Sequence, residues 1–299
     1  MTTLTRRGFL LAASAGLATL ALPSFAAPKS LPRLTIKQAG SETISFGYHS
    51  AGPEEGRPVV LLHDFAYDIH SYAEVSQILA AQGFRVIVPY LRGHGTTRFI
   101  DRNLAHSGEP AALGSDVIAL LNVLDTPEAV IGGFGWGARA AHAFAALKPS
   151  RCVGLVAVDG FTAAPALARS GAARRHAAHQ LWQTNSPTWH FDEALFARSA
   201  KAFDNPDFAA VIDHAYRYQR GEAAGLPQYE ADEQKLAASA AVAKPLITLQ
   251  GSASGIPPVG EAGADHRRIE GAGHNIPLEA PQEFANAIAE LVRNGKWRT

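Results

Sequence analysis

Residues 131–149, IGGFGWGARAAHAFAALKP, read as a strand that turns sharply into a helix. A turn such as Gly133-Phe134-Gly135-Trp136-Gly137 presents its middle residue as a nucleophile, in the pattern G-x-Nuc-x-G. The middle residue here is Gly135, which has no attacking atom. A side chain at that position is held at positive φ, at a cost of about 1–3 kcal/mol. Glycine reaches such angles freely. Gly135 therefore suits the turn and removes covalent attack from it. Loss of the nucleophile in a related triad lowers the rate about a millionfold, roughly 8 kcal/mol. Either such turnover has been abandoned, or water attacks directly.

Other reactive residue types offer little. Cys152, the one cysteine, opens the apolar run CVGLVAV and reads as a buried, inert thiol. His176 and His179 could share a helix face, but no acid or cysteine nearby completes a metal site. A solvated face is the simpler reading. His142 reads as a packed residue on the helix after the turn. No motif calls for a cofactor.

The elements that must position this turn alternate. RLTIKQ and TISFGYHS read as strands, and RPVVLLHDF as a central strand buried on both faces. Helical spacing over 70–83 ends at Gly83. FRVIVPY is a strand, 113–125 an amphipathic helix, EAVIGGF a strand, 137–149 a helix stopped by Pro149, and VGLVAVDG a strand. Alternation of this kind predicts an α/β fold with a mostly parallel sheet and helices on both faces. From 161 to 243 no apolar strand run appears, and the segment reads as an Ala-rich helical insertion. KPLITLQG, DHRRIEG and 280–295 then supply two strands and a last helix.

Lys plus Arg and Asp plus Glu each total 27, so no basic surface for nucleic acid or acidic membrane is expected. The N-terminus carries Arg6-Arg7, a short apolar run to Leu22, and small residues at Ala26-Ala27. That pattern predicts a cleaved twin-arginine export signal over 1–26 and a periplasmic chain free of the membrane.

In this order the motifs resemble the α/β-hydrolase fold, and within it the haloalkane and haloacetate dehalogenases and the epoxide hydrolases. VVLLHDF stands where those proteins have a strand followed by His-Gly-aromatic. LRGHGTTRF stands at their Arg-Gly-x-Gly, and GGFGWGARAA at their elbow, usually Asp-Trp-Gly-Gly. GAGHNIPLEAP stands at the loop of the catalytic histidine, here His274. The resemblance implies a hydrolase core over 27–160 and 244–299 with a helical cap over 161–243. It implies attack by an aspartate, hydrolysis of the ester by histidine-activated water, an acid that orients the histidine, and backbone N–H groups that hold negative charge.

Several of those parts are displaced. The nucleophile position is Gly135. The usual acid position reads Gly251-Ser252-Ala253-Ser254-Gly255 and holds no carboxylate. Asp159, at the end of its strand, either orients His274 or caps its loop. The N–H groups of Phe65 and Trp136 remain, and Trp136 corresponds to a halide-holding residue. Asp64 replaces a glycine and puts a carboxylate beside the pocket. Arg139 stands where haloacetate dehalogenases bind a carboxylate, or else forms a surface ion pair. Trp182, Trp189 and Tyr216 form cap core or pocket wall, and a pair of pocket tyrosines would favour an epoxide. Two functions follow as expectations. One is a hydrolase working at most through His274-activated water. The other is a non-catalytic periplasmic binder of a small molecule, organic acid or halide, with the anion seated over Gly135 unless Asp64 points inward.

Overall fold

The computed structural model describes residues 33–158, 160, 164–238, 244–257 and 262–298. The predicted export signal and Asp159 lie outside the described residues. Nine strands are described: β1 Ile36–Gly40, β2 Ile44–Ala51, β3 Pro58–Leu62, β4 Arg85–Pro89, β5 Arg98–Phe99, β6 Ala129–Phe134, β7 Cys152–Val158, β8 Leu246–Gly251 and β9 Asp265–Ile269. They form one sheet in the order β1-β2-β4-β3-β6-β7-β8-β9, with β5 on β2. The pairings from β4 to β9 are parallel, and those of β1, β2 and β5 are antiparallel. Every residue of β6 and β7 is buried. Burial on both faces explains why these strands read as unbroken apolar runs, and each buried Val, Leu or Ile contributes about 1.5–3 kcal/mol.

Helices α1 Ala73–Ala81, α2 Pro110–Val123, α3 Trp136–Leu147 and, near the C-terminus, α8 Ile276–Glu279 and α9 Pro281–Asn294 belong to the sheet layer. Two starts differ from the sequence expectation. The 70–83 helix opens with a 3-10 turn over Ile69–Tyr72, because Asp68 accepts from the His70 N–H and sets a tight first turn. The helix expected at 113 starts at Pro110, whose fixed φ suits the first helical position. The insertion between β7 and β8 holds α4 Gly171–Asn185, α5 Glu193–Ser199, α6 Phe208–Gln219 and α7 Glu230–Ala238. Trp182 of α4 donates its indole N–H to the Ala66 carbonyl at 2.8 Å, tying the insertion to the loop after β3. No helix among the described residues is long and apolar enough to cross a membrane. No group of three or more His, Cys, Asp or Glu among them could hold a metal ion.

Candidate active site

The site lies at the C-terminal ends of β3 and β6, where parallel sheets open their crevice. Gly135 caps α3 with φ +54° and ψ −121°, so the turn keeps the conformation of a nucleophile elbow without a nucleophile. The space a side chain would take there is filled. A Cβ on Gly135 would lie 2.5 Å and 2.6 Å from the two carboxylate oxygens of Asp64. Asp64 is buried, and its Oδ1 accepts from the N–H of Phe65 at 2.8 Å and of Trp136 at 2.9 Å. These are the two N–H groups that the sequence assigned to anion binding. The expected anion hollow over Gly135 is thus corrected: the chain seats its own carboxylate at the N-terminus of α3, where the helix dipole favours negative charge.

Neighbouring residues hold this loop in place. His63 Nδ1 donates to the Asp64 carbonyl at 2.9 Å, and its Nε2 accepts from the Leu91 N–H at 3.1 Å, which fixes one neutral tautomer. His94, in the LRGHG segment, meets the Phe65 carbonyl with Nε2 at 2.9 Å. Buried Arg92 of the same segment forms a two-pronged pair with half-buried Asp116, both distances 2.7 Å. Burial, and then the nearby His94, push the His63 pKa down from 6.5 to about 3. An unfolded chain therefore takes up a proton below pH 6.5 that native His63 refuses. Stability should be full above that pH and fall on acidification toward 3, by up to about 1.4 kcal/mol per pH unit from this group. Urea unfolding at pH 7 and pH 5 measures the slope, which His63→Asn should flatten.

His274 faces Asp64 from the loop before α8. The side chain is buried, and Nε2 lies 3.8 Å from Asp64 Oδ2. Neither ring nitrogen has a hydrogen-bond partner among the described residues. The loop itself is held from the cap. Asn185, the last residue of α4, accepts from the His274 N–H at 3.2 Å and from the Gly255 N–H at 3.0 Å. Ser186 Oγ accepts from the His274 N–H at 3.0 Å and donates to Glu279 at 2.6 Å. Glu279 also takes the N–H of Gly273 at 2.6 Å and of Asn275 at 3.1 Å. Burial raises the Glu279 pKa, while those bonds and His274 pull it back. The sequence reading passed over Asn185, Ser186 and Glu279. Only Glu279 left a signal, an acid five residues after the histidine. At the Ser252–Gly255 turn the hydroxyl oxygens accept backbone N–H groups, Ser252 from Gly271 and Ser254 from Ile256.

Aromatic walls complete the site. Trp136 stacks on Phe65 with ring centroids 4.5 Å apart, and Tyr216 of α6 meets Trp136 edge-on at 5.6 Å. Burial raises the Tyr216 pKa and the Asp64 charge adds to it, so the phenol stays protonated. Tyr67, stacked on Trp182, is raised for the same two reasons in the same order. Arg139 lies over the Trp136 ring at 4.9 Å, half-buried, with Glu233 and Asp64 in Coulombic reach. It therefore packs against the site's aromatic side chains and not on an open helix face. Of the two expectations for Trp189, cap core or a pocket wall that touches substrate, the structure gives the first. Trp189 stacks on Trp182 at 5.6 Å and packs on Phe191, within the cap's own aromatic cluster.

The sheet order, the elbow, the cap insertion and the buried histidine define an α/β-hydrolase architecture. The chain matches the alpha/beta hydrolase family over residues 59–287 and belongs to it. A crystal structure of a "putative epoxide hydrolase" from Klebsiella pneumoniae is similar, with 35% identity and TM-score 0.76, covering 86% of this chain and 97% of that one. Epoxide hydrolase B of Mycobacterium tuberculosis is 33% identical over 106 residues, 36% of this chain and 29% of that protein's length. The epoxide hydrolase VrEH1 of Vigna radiata, at 17% identity and TM-score 0.68 over 86% of this chain and 98% of its own, shares the fold.

Proposed function

We propose that the chain is an epoxide hydrolase, opening an epoxide to a diol with His274 as the base. The observation that carries this reading is the facing pair: a buried imidazole whose Nε2 lies 3.8 Å from a carboxylate oxygen, while the other oxygen rests on two backbone N–H groups. A passive binding pocket has no use for a buried base whose ring nitrogens find no hydrogen bond among the described residues, set beside a charge-stabilising N–H pair. Tyr216 and Tyr67, both held protonated by burial and by Asp64, supply donors for the ring oxygen as it becomes an alkoxide. The similarity to epoxide hydrolases supports the same substrate class. The paired Arg6-Arg7 supports export to the periplasm.

The reading is tested by incubating the protein with a panel of aliphatic and aryl epoxides and measuring diol. Turnover is expected, and Tyr216→Phe should lower kcat about 10²-fold through loss of one proton donor. Saturable binding of epoxides or small organic acids without any diol would favour the periplasmic binding protein instead.

A further inference from the structure

We propose that Asp64 is the attacking nucleophile, so that the reactive carboxylate has moved from the elbow after β6 to the loop after β3. This rests on the hydrolase reading above and replaces direct attack by water with a covalent route. Gly135 and Asp64 each look like a loss when read alone. Together they are one arrangement, because a Cβ at 135 would lie 2.5 Å and 2.6 Å from the Asp64 oxygens. A side chain at 135 and the Asp64 carboxylate in this rotamer cannot share that space.

The two oxygens differ in surroundings as the chemistry requires. Oδ1 takes both N–H groups, 2.8 Å from Phe65 and 2.9 Å from Trp136. Oδ2 takes no hydrogen bond among those resolved for the described residues and is the oxygen turned toward His274 at 3.8 Å. A carboxylate serving only as a helix or loop cap would not need a buried imidazole turned toward its second oxygen. In the first step Oδ2 bonds to an epoxide carbon, the carbon–oxygen bond of the ring breaks, and the alkoxide takes a proton from a tyrosine hydroxyl. In the second, His274 takes one proton from water and the hydroxide adds to Asp64 Cγ. Negative charge then forms on Oδ1, already seated on its two N–H groups. Collapse expels the second alkoxide, which takes the proton from His274. The remaining water proton restores the tyrosine, and the sum is epoxide plus water to diol.

The test is a single turnover with enzyme in excess in H2(18)O. The expected result is a diol without label and an Asp64 peptide two mass units heavier, because water oxygen enters through Cγ. Asp64→Asn should lower turnover at least a thousandfold while keeping both backbone hydrogen bonds. Label in the first-turnover diol, with Asp64 unlabelled, overturns this inference and leaves the hydrolase reading standing. Unchanged turnover in Asp64→Asn overturns it as well. No diol from any epoxide sinks both.

Discussion

Gly135→Ala should destabilise the fold by about 2–6 kcal/mol and abolish turnover, and Asp64→Gly should return much of that stability. The first cost has two parts. A non-glycine residue at φ +54° costs about 1–3 kcal/mol. Forcing a methyl group into the space of the buried Asp64 carboxylate costs about 1–3 kcal/mol more, since the carboxylate must turn away and give up the two N–H contacts of Oδ1. In the Asp64→Gly background only the backbone part remains. The coupling between the two positions should therefore be about 1–3 kcal/mol in a double-mutant cycle followed by urea unfolding. Effects that add within about 0.5 kcal/mol would mean that the two positions do not share space. The same geometry says that Gly135→Asp alone cannot rescue a conventional nucleophile, whereas Gly135→Asp combined with Asp64→Gly can.

His274→Gln should lower steady-state turnover by about 10²–10⁴-fold, equivalent to roughly 3–5.5 kcal/mol of barrier. The loss should fall on the second half of the reaction. Attack by Asp64 Oδ2 needs no base, so the ester still forms and the enzyme stalls after one equivalent of epoxide is consumed. The backbone of the loop is held by Ser186, Asn185 and Glu279 rather than by the imidazole, so the fold should survive the change.

Much of this was legible in the sequence. The apolar runs of β3, β6 and β7 are unbroken because both faces are covered, and a strand of that kind announces itself. The glycines of the elbow and the histidine of GAGHNIP were visible in the same way. Asp64 was visible as a departure from the expected glycine, but its consequence was not. Whether its carboxylate turns outward or into the elbow is decided by a rotamer and by the Trp136 N–H, which lies far away in sequence. Trp189 and Tyr216 show the same limit. Both are aromatics of the insertion, yet Trp189, in the segment between α4 and α5, packs on Trp182, while Tyr216, on α6, packs on Trp136, and only the packing of the insertion decides which of them meets the site. Asn185 and Ser186 act through the carbonyl and hydroxyl at the end of α4, and nothing in a polar helix C-terminus marks that it docks on a catalytic loop.

The most direct measurement is a peptide mass map of His274→Gln after brief exposure to an epoxide it turns over in the unaltered form. The account predicts one adduct, of the mass of the epoxide, on the peptide that carries Asp64, absent when Asp64→Asn is added. An adduct on any other residue, or continued diol release with no adduct at all, would contradict it.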